Sequence, residues 1–170
     1  HMTDTRFLEI DLSLWQLYTA HLERAGMFRH GTDKGKPAES SYYSGVLFDD
    51  RVVGHISIKK QVMTVPASYL TEHSPIALKD ESGAVLYEMF VQTFAVEAAY
   101  RRRGYGRKLQ EMALAKAIET GCYQMRSWSS ADKIANYALK IGMGFAIQPA
   151  LYPMPGGQPI SGVYFVKRLS

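Results

Sequence analysis

Residues Phe94–Leu114 read FAVEAAYRRRGYGRKLQEMAL, an apolar run, three arginines, two glycines and then an amphipathic stretch. Upstream, AVLYEMFVQTFAV (84–96) has the length and β-forming content of a central strand. Downstream, Leu109, Met112, Ala113 and Ala117 recur at i, i+3, i+4 and i+8, and Gly121 stands where a helix would stop. A strand that runs through a glycine turn into a helix presents several backbone N–H groups at the positive end of the helix dipole. Such a turn is an anion cradle. At Gly104 and Gly106 a Cβ would hold a phosphate away from the amides, while Arg102, Arg103 and Arg107 supply outer charge. Five basic residues between Arg101 and Lys108 repel one another unless water, salt or a bound anion offsets them. The expected anion is a pyrophosphate.

The rest of the chain narrows the setting. Its 170 residues suit one well-cored domain, expected over 3–170, with His1-Met2 read as a cloning scar and start methionine. Apolar residues at 46% and charged residues at 21% are those of a folded globular chain. The net charge of +4 is modest and clustered, which favours a local anion site over a nucleic-acid-coating surface. Cys122, the single cysteine, cannot form an intrachain disulfide, and a reducing, cytoplasmic location follows as an expectation. The N-terminus lacks the regions of a secretory signal, and no run of about 18 apolar residues suggests a membrane span. No metal site is expected, because His21, His30, His55 and His73 lie on separate elements without paired spacing.

Along the chain, RFLEIDL predicts a strand, and Leu14, Leu17, Tyr18, His21 and Leu22 predict a helix behind a Ser13 cap. Arg29–Ser40 has loop composition, and Tyr42–Val62 reads as a hairpin about Asp49-Asp50. KDESG (79–83) marks a second hairpin turn. CYQMRSW predicts a strand. SADKIANYALKIG then predicts a helix with Ile134, Ala135, Ala138 and Leu139 on one face. PALYPMPGGQP is expected to be a loop before a closing strand, SGVYFVKRL. Hairpins followed by alternating strands and helices imply a mixed α/β sheet.

The turn lacks both Gly-x-Gly-x-x-Gly and Gly-x-x-x-x-Gly-Lys-Ser/Thr, leaving Arg101-x-x-Gly104-x-Gly106. That pattern resembles the coenzyme A pyrophosphate loop of the GNAT superfamily of N-acetyltransferases, Gln/Arg-x-x-Gly-x-Gly/Ala after the fourth strand. The flanking strand, acidic residue, aromatic residue and helix match in order, and YALKIGMGF matches the later helix that ends in Gly144-Phe145. Over about Leu86–Phe145 the resemblance is close. It implies a mostly antiparallel central sheet flanked by helices and acetyl-CoA as cosubstrate. Backbone groups of Phe94, Ala95 and Val96 would pair with the pantetheine arm. Amides of Arg102, Arg103, Gly104, Tyr105, Gly106 and Arg107 would hold the pyrophosphate, with Arg101 opening the motif.

Acetyl transfer to an amine needs the neutral amine, and at pH 7 an alkyl amine with a pKa near 10.4 carries a penalty of about 4 to 5 kcal/mol. A base, or a chain leading to one, offsets this, and an acid protonates the departing thiolate. In many family members the acid is a tyrosine five residues before the Gly-Phe phenylalanine, but here that position is Lys140, and the usual asparagine position is Lys133. Tyr137, near the same helical face, is the substitute acid, or else a core aromatic. Lys140 is expected to contact a coenzyme phosphate or to be solvated. Glu88, acidic amid VLYEMF, is the first candidate base, with Gln92 on its side of the strand, and His55 is the second. Glu97 is expected to tune or cap the loop, and Cys122 has no neighbouring group to activate its thiol.

The expected function is direct transfer of acetyl from acetyl-CoA to a primary amine of a small molecule or peptide, by a monomer or homodimer. The resemblance implies acceptor contacts from Met27–Ser40 and Ala150–Gly162. Two alternatives stand beside it. A non-catalytic acyl-CoA-binding regulatory domain would keep the glycines and lose the catalytic groups. A nucleic-acid module would need a longer basic face than one turn.

Overall fold

The structure, a computed structural model, describes residues 4–27, 35–65, 74–152 and 156–169. In chain order the elements are β1 (Thr5–Glu9), α1 (Trp15–Arg24), β2 (Ser41–Phe48), β3 (Arg51–Val62), β4 (Thr64–Val65), β5 (Ile76–Ala77), β6 (Tyr87–Val96), α2 (Tyr105–Glu119), β7 (Gln124–Ser130), α3 (Ile134–Gly142), β8 (Ala146–Tyr152) and β9 (Ile160–Arg168). Seven strands form one sheet in the order β1-β2-β3-β6-β7-β9-β8, and β4 and β5 pair separately. The β1–β2, β2–β3, β7–β9 and β8–β9 pairs are antiparallel, and β6–β7 is parallel. The fold is mixed α/β, with a large, mostly antiparallel sheet flanked by helices. Among the described residues, no helix is long and apolar enough to cross a membrane.

Two compact units divide the chain. The first takes the residues up to Lys59 with Val91–Lys116, and the second takes Lys60–Phe90 with the residues from Ala117 onward. In the first, α1 buries Trp15, Tyr18, His21 and Leu22, at helical spacing, and the apolar cluster adds Ile10, Tyr43, Leu47 and Val52. Trp15, Tyr18 and Tyr43 meet one another within 5.5 Å between ring centres. Full burial of side chains of this size removes enough apolar surface to contribute about 1.5 to 3 kcal/mol each. The hairpin turns at Asp49, whose φ of 53° is a left-handed conformation that a short acidic side chain tolerates. The expected Ser13 cap is replaced: Asp11 accepts from the Ser13 N–H and starts a 3-10 turn, Leu12–Leu14, ahead of α1.

In the second unit the parallel ladder joins Glu88, Met89 and Phe90 to Gln124, Met125 and Arg126. The KDESG turn closes through the Asp80 carboxylate, which accepts from the N–H groups of Ser82 and Ala84. Two expectations fail here. Pro149–Tyr152 belongs to β8 rather than to a loop, because β8 is an edge strand, where a residue without an N–H is tolerated. Helix α3 turns much of its apolar face outward, with Ile134 73% and Ile141 55% exposed, Ala135 and Ala138 also exposed, and Lys140 buried. Periodicity gave the helix, but the buried side was set by Phe145 and Phe165, which lie against Lys140 and Tyr137.

Of the earlier expectations, His1-Met2, His30, His73 and the parts of the acceptor segments at 28–34 and 153–155 lie outside the described residues.

Candidate functional site

The glycine turn follows β6 directly. After Val96, a 3-10 turn over Ala98–Tyr100 leads into Arg101 in an extended conformation. Arg102 (φ 63°) and Gly104 (φ 82°) are both left-handed, and α2 opens at Tyr105 with Gly106 and Arg107 in its first turn. Left-handed residues ahead of a helix turn successive N–H groups toward one concave side, which makes an anion nest. The first N–H groups of α2 have no intrahelical partner, and the first turn of α2 holds no acidic residue to compete for an anion. A Cβ built on Gly104 meets nothing within 4 Å, so open space lies on that side of the turn.

The arginines have distinct roles. The Arg101 Nε donates to the Val96 carbonyl at 2.9 Å and ties the turn back to its strand. That carbonyl is therefore engaged, whereas the ladder to β7 covers only Glu88–Phe90 and ends before Phe94 and Ala95. Arg103 stacks on Phe48 and Tyr100, 5.2 Å from each ring centre. Arg107 pairs with Glu111 at 3.3 Å, and Arg102 is exposed. A hollow of about 290 Å³ lies beside the turn, lined by Arg24, Ala25, Ala95, Val96, Glu97, Ala98, Ala99 and Arg101.

Glu97 makes no cap. Its carboxylate points inward, accepting from Arg24 Nε at 2.9 Å and Nη2 at 3.1 Å, and from His21 Nδ1 at 2.7 Å. Burial alone would raise this carboxyl's pKa, but the Arg24 and His21 hydrogen bonds outweigh it and hold it below the usual range. His21 Nε2 lies 2.8 Å from His55 Nδ1, and His55 Nε2 lies 2.9 Å from the Thr93 hydroxyl. The Ser57 hydroxyl sits 2.6 Å from the Thr93 oxygen and accepts from the Thr93 N–H at 3.2 Å. Desolvation lowers the pKa of both histidines, so both are neutral near pH 7; His21 is drawn partly back by Glu97, and His55 lies well below 6.5. Histidines on separate sequence elements thus meet in space, which their spacing did not indicate. Among the described residues, no three metal-ligating side chains are grouped to hold a metal.

The remaining candidates belong to the second unit. Glu88 is 4% exposed and accepts from Gln61 Nε2 at 2.8 Å, Gln124 Nε2 at 2.9 Å and Arg126 Nη2 at 2.7 Å, with Arg126 Nε 3.0 Å from its second oxygen. Burial pushes its pKa up, yet Arg126 and the two glutamines pull it below the ordinary value. A carboxylate held in this way accepts a proton poorly. Gln92 does not share its surroundings, because it accepts from the Ser41 hydroxyl in the first unit. Arg126 lies between the rings of Phe90 and Tyr164, 4.8 and 4.9 Å from their centres. The signal for it was present: a lone charge in each of two apolar strands, which a parallel register brings side by side.

The Tyr137 hydroxyl donates to the Ser130 carbonyl at 3.1 Å, and its ring meets Phe165 edge-on at 5.3 Å. Lys140 is not solvated. It is 1% exposed with Nζ 4.5 Å above the Phe145 ring, and burial brings its pKa down to about 7. Cys122 is buried, which raises its thiol pKa and keeps it inert.

Comparison with known proteins accords with this geometry. The model of the acetyltransferase (GNAT) family matches residues 7–145. No curated protein sequence matches the chain. Among solved structures, Arabidopsis thaliana NAA60 in complex with acetyl-CoA is similar at a TM-score of 0.75 and 14% identity, over 98% of this chain and 99% of that one. The same enzyme with a bisubstrate analogue gives 0.68 and 14%, over 97% and 98%. The ribosomal-protein-S18-alanine N-acetyltransferase of Escherichia coli gives 0.65 and 13%, over 98% and 95%. At these identities the structures establish the fold, and the family model, spanning most of the sequence, establishes that this chain belongs to the GNAT acetyltransferase family.

Proposed function

We propose that this protein is an acetyl-CoA-dependent N-acetyltransferase that moves the acetyl group directly to a primary amine of a small molecule or peptide. One observation carries the reading: a strand-to-helix turn in which Arg102 and Gly104 are left-handed and a Cβ on Gly104 would meet only open space. Those amides, from Arg102 to Arg107, would hold the pyrophosphate of the cosubstrate, with Arg101 fixing the turn. Phe94 and Ala95, beyond the ladder to β7, would pair with the pantetheine arm. Acetyl-CoA would supply the activated thioester.

Tyr137 is the group we propose to protonate the departing thiolate, its hydroxyl hydrogen turning to the sulfur from the Ser130 carbonyl, to which it is donated at rest. Lys140, buried and with a pKa of about 7, is proposed as a charge that is present or absent within the physiological range. Glu88 is better suited to anchoring Arg126 than to taking a proton. The family match draws on both compact units, which favours one acetyltransferase domain over 3–170. The buried thiol of Cys122 suits a reducing compartment, and the cytoplasm is the location we propose.

Glu88 locked in an ion pair and Lys140 in the tyrosine position favour a second reading, a non-catalytic acyl-CoA-binding regulatory domain. Calorimetric titration of acetyl-CoA, alongside coenzyme A release over a panel of amines, separates the two. Binding with release supports transfer, and binding with no release on any amine supports the regulatory reading. Gly104→Val should weaken acetyl-CoA binding by more than about tenfold, because a branched side chain blocks the amides and strains a turn whose φ is 82° here, and circular dichroism checks that the variant is folded. Unchanged affinity in a folded variant would move the phosphate site elsewhere.

A further inference from the structure

The polar chain inside the first unit has a single consistent direction. An ionised Glu97 can only accept, so His21 Nδ1 carries the hydrogen at 2.7 Å. A neutral His21 must then accept at Nε2, which makes His55 Nδ1 the donor at 2.8 Å. His55 Nε2 must accept in turn, and Thr93 has one hydroxyl hydrogen to give it, at 2.9 Å. That leaves Ser57 to donate to Thr93, while the Ser57 oxygen accepts from the Thr93 N–H. Every hydrogen points toward Glu97.

The chain is closed along its length and open at two places. His21 and His55 are 0% exposed and Ser57 is 3% exposed, whereas Thr93 is half-buried and Glu97 lines the open hollow beside the glycine turn. Thr93 immediately precedes the Phe94–Ala95 backbone proposed to hold the pantetheine arm, so it stands toward the acyl end of that arm. Three charged or titratable groups face the histidines. Arg24 and Glu97 form the ion pair at one end. Tyr18, whose ring lies 5.2 Å from His55 and whose phenol faces Thr93 and Ser57, has its pKa pushed up by burial and then by Tyr43, so this phenol stays neutral.

We infer that Thr93, His55, His21 and Glu97 form a proton relay that takes the proton of the acceptor ammonium at Thr93 and delivers it to the His21–Glu97 pair, an inference that rests on the acetyl-transfer reading above. One N–H bond of the ammonium breaks as its proton passes to the Thr93 oxygen. The Thr93 hydroxyl proton moves to His55 Nε2, and the His55 Nδ1 proton moves to His21 Nε2. The amine is left neutral, and the charge resides on a His21 imidazolium held against the Glu97 carboxylate. Release of a proton to water through Glu97, followed by return of the rings to their first tautomer, completes the cycle. In this scheme Thr93 touches the substrate, and His55, His21 and Glu97 act through it.

Two measurements on the full chain test the relay. The first uses nitrogen-15 imidazole spectra, which need no acceptor: both histidines should be neutral Nδ1–H tautomers at pH 7. The His55 ring proton should exchange with water at least about tenfold faster in the wild type than in Thr93→Val, which keeps the side-chain shape and removes the hydroxyl. An Nε2–H tautomer at either ring, or exchange unchanged by Thr93→Val, overturns the relay whatever the kinetics show. The second measures acetyl transfer to spermidine and to peptides with a free N-terminus. Thr93→Val should lower kcat about 10²-fold near pH 7 with the KM for acetyl-CoA unchanged, the deficit closing as pH approaches the pKa of the amine, and Thr93→Ser should retain activity. Equal kcat for Thr93→Val and wild type at every pH overturns the relay and leaves the transferase reading intact. Slowed exchange in Thr93→Val with no amine acetylated supports proton conduction and instead removes the proposed reaction.

Discussion

Replacing Arg126 with methionine should be among the most damaging single changes in the second unit. The Glu88 carboxylate, with 5% of its side-chain surface exposed, receives five hydrogen-bond contacts, and three of them come from Arg126. Methionine can still fill the space between Phe90 and Tyr164, so the loss is mainly electrostatic. Removing one partner of a buried ion pair typically costs about 3 to 5 kcal/mol. Gln61 and Gln124 still donate to Glu88, and Arg126 is 28% exposed, so the lower end of that range is expected. The sign of the pH dependence follows. In the wild type the depressed Glu88 pKa contributes stability above the unfolded value of about 4.5, and this is lost as pH falls through the folded value. Without Arg126, burial is opposed only by the Gln61 and Gln124 hydrogen bonds and the pKa rises, so the deficit should be largest near pH 7 and shrink toward pH 4 as the carboxyl protonates. Urea unfolding at pH 7 and pH 4 measures both, with Glu88→Gln and the double variant closing the cycle. A loss below about 1 kcal/mol at pH 7, or a deficit independent of pH, would refute the reasoning.

Lys140→Met should stabilise the protein at pH 7 and flatten its stability profile from about pH 7 to 10.5. With the folded pKa lowered by burial to about 7, the wild-type penalty is full below that pH and fades as the unfolded lysine also deprotonates. Thermal unfolding across this range checks it, and a profile as steep as the wild type's would show that Lys140 is not the titrating group. Tyr137→Phe removes the phenol that donates to the Ser130 carbonyl and keeps the ring against Phe165. Turnover on a verified amine should fall about 10²-fold or more with acetyl-CoA affinity intact. Normal turnover in that variant would mean that the thiolate takes its proton from another group.

The glycine turn, its strand and its helix were legible in the sequence because all three depend on short-range physics. Left-handed backbone falls at Gly104, helical spacing runs from Leu109 to Ala117, and the arginines gather in one turn. The hairpin at Asp49 and the carboxylate-closed turn at Asp80 were legible for the same reason. What each polar side chain does was not. Glu88 read as a stranded base because its partner Arg126 lies 38 positions away and is brought alongside only by the parallel register of β6 and β7. His21 and His55, 34 positions apart, became a hydrogen-bonded pair only when α1 packed against its strands. On α3, periodicity predicted a helix with an apolar face, and packing buried the lysine instead, since neighbouring elements rather than the helix itself decide which side is covered. Local backbone preference and hydrophobic spacing are written within a few residues of each other. Protonation, by contrast, depends on desolvation and on partners that only the folded chain brings together.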